Sequence, residues 1–572
     1  MKSTLLLGLA LATQALAGPC VIDPFKLITY NGETRNGLDV FRNIPYGKDT
    51  GGEHRFKPPR PVSHPYGKVI NAQQPGPACP QPKGNPNFPL TLSSVDHISE
   101  DCLNLNIVLP PNLNRWSKLP VLIFMHGGSF WTGSKADLSY EADGMVKESI
   151  SNGLPIIHVS INYRMGLFGF AISDALRAEK STNAGLRDQR LAMEWVRDNI
   201  KNFGGDPDKI TIAGQSSGGL AVGLHTLAYG GTRPVPFQQG ICQSQALEQG
   251  ITGDFTIKEM RLVAGATGCN TTDLHSAATI ACLRDMDMAP LLQKSIDVHI
   301  ADMTNNIGDS WLPAVGDDFL PDAPSKLVAE GRFAKITTMI GYTEEDVTYY
   351  TPSDISTEAH TKKFVEDWLP AMTPASVQTV LDLYPSSDFS DNPAANRGAQ
   401  FYRSARIFRD IIMSCMPAWY GENLAKKGAD VYMYDFNQTM VAPILAAMGS
   451  PGLGAIHTSE FAYIYGNLSH YDIPGYPYNP SQNDYRLATQ ASRSWSTFVS
   501  TGRPSKAGKN TLPEWTKAFP DNTNTRIYVI GGDLEGMTSW DGQNANPVIR
   551  GQKLRERCEF FNSPAIRAQL QY

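Results

Sequence analysis

Chemistry in this chain starts at Gly214-Gln215-Ser216-Ser217-Gly218, a serine with glycines two residues before and two after it. Lys209-Ile-Thr-Ile-Ala213 ahead of it reads as a buried strand, and a helix begins near Ser217. A serine at the tip of so tight a turn exposes its hydroxyl. It also aims a helix N-terminus at any negative charge that develops beside it. Ser217 lacks that glycine frame, which makes Ser216 the candidate nucleophile. A nucleophilic serine needs donors for an oxyanion. His126-Gly127-Gly128-Ser129-Phe130 supplies a run of small residues after the apolar strand Leu119–Met125.

A serine also needs a base, and the base an acid that orients it. Six of the eleven histidines follow Ser216: His225, His275, His299, His360, His457 and His470. His360 lies in a polar stretch and His470 beside a glycosylation sequon, both surface settings. His457 ends the glycine-rich run Gly452-Leu-Gly-Ala-Ile456, a loop suited to presenting a side chain. A strand over 336–340 runs into Gly341-Tyr-Thr-Glu-Glu-Asp346, an acidic cluster between nucleophile and base in chain order.

The elements around these residues read as strand, helix, strand. Apolar runs at 119–125, 154–162 and 209–213 flank a helix near 186–203, in which Ala192, Val196, Ile200 and Phe203 recur at helical spacing. Continuous apolar strands mark a parallel sheet covered on both faces, with ligands at the carboxyl ends of the strands.

Several stretches together resemble the type-B carboxylesterase/lipase family, which includes the cholinesterases. They are Asn43-Ile-Pro-Tyr46, Ser99-Glu-Asp-Cys-Leu103, His126 to Gly133 and Asn162-Tyr-Arg164, then Asp188-Gln-Arg-Leu191, Asn202-Phe-Gly-Gly-Asp-Pro207, the serine turn and Gln243-Ser244. The resemblance is nearly full length. It implies an α/β-hydrolase fold, a mostly parallel sheet flanked by helices with large insertions forming a gorge, and hydrolysis of carboxylic esters. It places a triad at Ser216, His457 and Asp346, with Glu345 as the alternative acid. Oxyanion donors fall at Gly128, Ser129 and Ser217, and Ser244 supports the acid. Relatives usually carry Glu where Gln215 stands, and an apolar residue where Arg187 stands; the sequence offers no account of Arg187.

The first seventeen residues read as a secretory signal: Lys2, an apolar core from Leu5 to Ala12, and Ala15-Leu-Ala17 before the cut. The mature chain, 18–572, then reads as one hydrolase domain. Sequons at Asn270, Asn437 and Asn467 fit export. Eight cysteines become disulfide candidates in an oxidising compartment. Cys79 lies near Cys102 and Cys269 near Cys282 in sequence, and the resemblance implies a third bridge, Cys415–Cys558. Cys20 and Cys242 are left unassigned.

The 572 residues carry a net charge of −6, with 19% charged and 41% apolar residues. That excludes a disordered chain or coiled coil, and no run of four or more Lys/Arg points to nucleic acid. No segment after the signal is apolar over the ~20 residues a bilayer span requires, and no metal-ligand spacing or cofactor motif occurs. The expected partner is a small-molecule ester. Cholinesterases hold a quaternary ammonium over a tryptophan in their first disulfide loop. The loop from Cys79 to Cys102 has only Phe88, which argues against choline esters. In the family's lipases the same loop forms a lid, and here it is short. The leading expectation is an esterase acting on short-to-medium acyl or aromatic esters, with Trp131 and Trp311 walling the pocket. A triacylglycerol lipase is the alternative, and a catalytically silent adhesion or scaffold module a remote one.

Overall fold

A computed structural model describes residues 18–245, 254–270, 272–303, 310–521 and 524–572. The signal segment 1–17 lies outside the described residues. The strands in chain order are β1 (Cys20–Ile22), β2 (Thr29–Asn31), β3 (Glu33–Arg35), β4 (Leu38–Pro45), β5 (Val69–Asn71), β6 (Asn104–Leu109) and β7 (Leu119–Met125). They continue with β8 (Ile157–Ile161), β9 (Gly205–Gln215), β10 (Gln239–Gln243), β11 (Thr337–Thr343), β12 (Val431–Phe436), β13 (Arg526–Ile530) and β14 (Gly536–Ser539).

Eleven of them form one sheet in the order β14-β13-β12-β11-β10-β9-β7-β8-β6-β4-β3, and β1-β2-β5 form a small second sheet. The stretch from β8 to β13 is parallel, and antiparallel pairs close both edges. The apolar runs have this shape because each strand is covered on both faces. In β7, Val121, Ile123 and Met125 enter one core while Leu122 and Phe124 enter the other. β12 divides the same way, Val431 and Met433 against Tyr432 and Tyr434. The two-residue period of a strand sorts these side chains between the faces.

The helix Ala184–Asn199 covers the first face with Leu186, Ala192, Met193 and Val196, and tightens into a 3₁₀ turn over Ile200–Phe203. The helix Gln482–Thr501, started by a reciprocal Ser481–Asp484 capping box, covers the second with Leu487, Ala491, Trp495 and Phe498. The expected strand at 209–213 is longer, because its first residues extend the pairing with β7 as far as Leu119–Gly205.

Disulfides join Cys79–Cys102, Cys269–Cys282 and Cys415–Cys558, while Cys20 and Cys242 are free thiols, the latter buried in β10. Arg187 acquires a reason. Its guanidinium donates to Thr182 O (2.9 Å), Asp318 Oδ1 (2.6 Å) and Asp317 Oδ2 (3.2 Å), and it lies over the Phe319 ring. It clamps the 317–319 turn to the start of the Ala184–Asn199 helix.

Candidate active site

Ser216 stands between β9 and the helix Ser217–Leu227 at φ 61°, ψ −128°, a backbone region that L-residues occupy only at a cost of roughly 1–3 kcal/mol. The Ser216 N–H donates to Gln243 O (2.9 Å), fixing the turn to β10. Gly218 allows the turn to close. A Cβ there would stand 2.2 Å from Met125 O and 2.8 Å from His126 O, so only glycine lets the helix seat against the end of β7.

That contact brings the loop after β7 beside Ser216. Gly128, Ser129 and Phe130 are successively left-handed (φ 103°, 54° and 52°). Consecutive left-handed residues turn backbone N–H groups toward a common concavity. Among the described residues, the N–H groups of Gly128, Ser129 and Ser217 have no backbone or side-chain acceptor. Phe130 N–H instead donates to Ser217 Oγ (3.2 Å), so that hydroxyl ties the loop to the helix start.

His457 and Asp346 meet here from loops after different strands. His457 Nδ1 is hydrogen-bonded to Asp346 Oδ1, and its own N–H donates to Asp346 O (3.0 Å). Asp346 Oδ2 accepts from Ser244 Oγ (2.7 Å) and from the Thr343 N–H (2.9 Å). Both residues are buried. The Gln215 amide nitrogen is 3.0 Å from His457 Nε2 and 3.4 Å from Nδ1, beside both ring nitrogens. With Nδ1–H committed to Asp346, Nε2 holds the lone pair.

Glu345 does not join this group. Its carboxylate lies against Gly454 and faces a polar cavity of about 660 Å³ that Asn392, Asn437 and Tyr402 also line. Burial, then the charge of Glu344, pushes its carboxyl up to about 7. Sequence reading missed Glu460, which is fully buried. It accepts from Gln243 Nε2 at 3.4 Å, and burial and then Asp346 push it to about 7 as well. The spacing His457-x-x-Glu460, one turn apart, is the signal that would have found it. Thr343 was also missed, because a backbone N–H leaves no residue signature.

The other candidates fall as follows. Trp311 is buried in the core, and the Trp131 and His299 rings lie tilted 4.6 Å apart; a Cβ on Gly166 would come within 4 Å of both indoles. Both rings pack against the core. Asn270 is exposed and Asn437 half-buried. Asn467 is 6% exposed with Nδ2 donating to Glu141 O at 2.7 Å, so this sequon is closed in the folded chain. The Cys79–Cys102 loop is bound to the loop carrying the oxyanion candidates. Gln81 and Gly133 exchange two 2.8 Å hydrogen bonds, Asn87 Nδ2 donates to Thr132 Oγ1 (2.8 Å), and Leu92 and Ser93 N–H donate to Asp137 (3.1 and 3.0 Å). Among the described residues, no group of three or more His, Cys, Asp or Glu is arranged to hold a metal ion.

A family model described as the carboxylesterase family matches residues 28–543. A secreted lipase of Arthroderma benhamiae is 49% identical over 98% of this chain and 97% of its own length. An inactive carboxylesterase-like protein of Byssochlamys spectabilis is 33% identical over 96% of this chain and 94% of its own. Among solved structures, Aspergillus niger EstA superposes with a TM-score of 0.76 at 23% identity, covering 97% of this chain and 99% of that one.

Proposed function

The chain belongs to the carboxylesterase family and is a carboxylic ester hydrolase; on that premise we propose that it works through an acyl-enzyme on Ser216, with His457 as base and Asp346 as its orienting acid. The carrying observation is the backbone of Ser216, held in a costly left-handed turn at a helix N-terminus beside three unengaged N–H groups. The Ser216 hydroxyl proton passes to His457 Nε2 as Oγ bonds to the ester carbonyl carbon. The tetrahedral oxyanion lies against the N–H groups of Gly128, Ser129 and Ser217. As the C–O bond breaks, Nε2–H protonates the leaving alcohol. Water, deprotonated by His457, then attacks the acyl carbon, and the acid leaves Ser216 free. Asp346 keeps Nδ1–H oriented and stabilises the imidazolium.

The acyl groups we assign are short to medium. Support comes from the Cys79–Cys102 loop, whose hydrogen bonds to residues 132–137 hold down the segment that a lipase would use as a lid. The similarity to a relative named as a secreted lipase favours long-chain glycerides as a second reading. Residues 18–572 form one hydrolase domain in this reading, exported by the segment 1–17. Three disulfides, the absence among the described residues of any helix long and apolar enough to cross a membrane, and that relative's name support export.

Nitrophenyl esters of increasing acyl length, given to wild type and Ser216→Ala, test the reading. Turnover falls by roughly 10⁶ in the variant, and full activity there would remove Ser216 from the mechanism. Wild-type rates decline as acyl chains lose solubility; a steep rise beyond the solubility limit would replace the esterase reading by the lipase one. A folded wild type that cleaves none of these esters would return the chain to the silent class.

A further inference from the structure

No run of four or more Lys or Arg occurs in the sequence, yet the fold assembles a basic, aromatic face from distant segments. Fifteen large apolar side chains are exposed among the described residues, and six of them lie on the small β1-β2-β5 sheet and the loop ahead of β7. Phe25, Tyr66 and Trp116 are 78%, 73% and 70% exposed, and Ile22, Leu27 and Val69 flank them. Such clustering is uncommon on a surface that has no use for it.

Cations interleave these rings. The Arg115 guanidinium lies 5.4 Å from the centre of Phe25 and 5.3 Å from that of Trp116, and Lys201 Nζ lies 5.4 Å from Trp116. Lys26 and Lys68 continue the patch. Lys26 O accepts the Gly67 N–H, Lys68 O accepts the Thr29 N–H, and both ammonium groups help burial hold the nearby His64 below its usual range. None of Lys26, Lys68, Arg115 or Lys201 forms an ion pair among the described residues. Of the acids close in sequence, Asp23 is buried, with Oδ1 accepting the Phe25 and Lys26 N–H groups, and Asp198 is paired with Arg197. On a chain of net charge −6, four cations without an ion-pair partner among the described residues gather around these exposed aromatics.

We propose that this face docks the protein on the anionic surface of a lipid bilayer. Lysine and arginine next to Trp, Tyr and aliphatic tips match the headgroup zone of an acidic membrane, where aromatic rings settle and basic side chains gain from surface charge. A polysaccharide would instead need open ring faces, and Arg115 and Lys201 already occupy faces of Phe25 and Trp116. Trp116 stands three residues ahead of β7 and Lys201 four ahead of β9, at the amino ends of strands whose carboxyl ends carry Gly128 and Ser216. A docked molecule therefore keeps its candidate active site turned away from the bilayer. This surface is independent of the triad assignment.

The test is co-sedimentation of the full mature chain with phosphatidylcholine vesicles, with and without about 30% phosphatidylserine. Wild type and Ser216→Ala bind the acidic vesicles alike, so loss of the proposed nucleophile leaves this result standing. About 0.5 M salt releases both. Lys26→Glu/Lys68→Glu weakens binding by roughly fivefold or more per lysine, and Phe25→Ala/Trp116→Ala weakens it as well. Both variants keep wild-type turnover of a soluble ester, which shows that they fold. Equal binding to neutral and acidic vesicles, or unaltered binding by both variants, would overturn the proposal. So would full competition by dextran sulfate with no effect of the aromatic variant, since the face would then read a soluble polyanion.

Discussion

Asp346 and Glu345 are neighbours on one loop, the first buried and the second half-buried at a cavity, and their surroundings are opposite. Asp346 receives a serine hydroxyl, a backbone N–H and the His457 ring. Glu345 receives none of these; it lies on the Gly454 backbone beside a polar cavity, and burial lifts it to about 7. Burial alone favours the neutral acid, while donors aimed at the oxygens favour the carboxylate. Donors thus single out Asp346 as the proposed acid, and a one-residue shift along the chain removes them.

The largest break in this comparison is Asp346→Asn against Glu345→Gln. Replacing Asp346 withdraws the charge and sets the wrong His457 tautomer, with an expected loss of roughly 10⁴ in kcat on a soluble nitrophenyl ester. Glu345→Gln stays within about tenfold of wild type. Equal losses would mean that the two carboxyls share the role. Next in size is Ser244→Ala, which leaves Asp346 Oδ2 with one donor fewer. A hydrogen bond to a charged acceptor is worth roughly 1.5–3 kcal/mol, so kcat falls by about ten- to a hundredfold with KM little changed. A loss in KM alone would place Ser244 outside the support of the acid.

A smaller effect sharpens the same contrast at the imidazole. Gln215→Glu sets a carboxylate where an amide now lies 3.0 Å from His457 Nε2. A nearby negative charge favours the imidazolium, so the acid limb of the kcat/KM profile moves up by about one pH unit or more. An unmoved limb would separate Gln215 from the base.

The tight turn at Ser216 and the small-residue loop after His126 were legible because each is a local backbone event. Glycines at fixed offsets from Ser216 and after His126 are required by contacts within a few residues, as Gly218 against Met125 O illustrates. The core strands were legible for a similar reason: two-sided burial leaves apolar runs. What escaped the sequence is assembled across the chain. Glu460 reaches the site through the fold of the 452–460 loop. The clamp of Arg187 needs Asp317 and Asp318, more than a hundred residues away. The four cations of the docking face come from four segments, so no window of sequence contains them. Asn467 fails in the opposite sense, since a local motif is complete and the tertiary contact with Glu141 O closes it.

The smallest effect concerns stability and isolates Glu345 from catalysis. An ordinary glutamate titrates at 4.5, and in the folded chain Glu345 holds its proton to about 7. The folded state therefore binds a proton that the unfolded state releases. The resulting stabilisation is complete below pH 4.5 and is lost as pH rises to 7. Glu460 titrates in the same window and direction, so wild type alone does not separate the two. Glu345→Gln does, because its amide never ionises and Glu460 is common to both proteins. The difference in thermal midpoint, variant minus wild type, should grow in the variant's favour from pH 4.5 to 7 by about two degrees and level off above. A difference that stays flat would mean that Glu345 ionises freely despite its enclosure. Donors would then not be what separates it from Asp346.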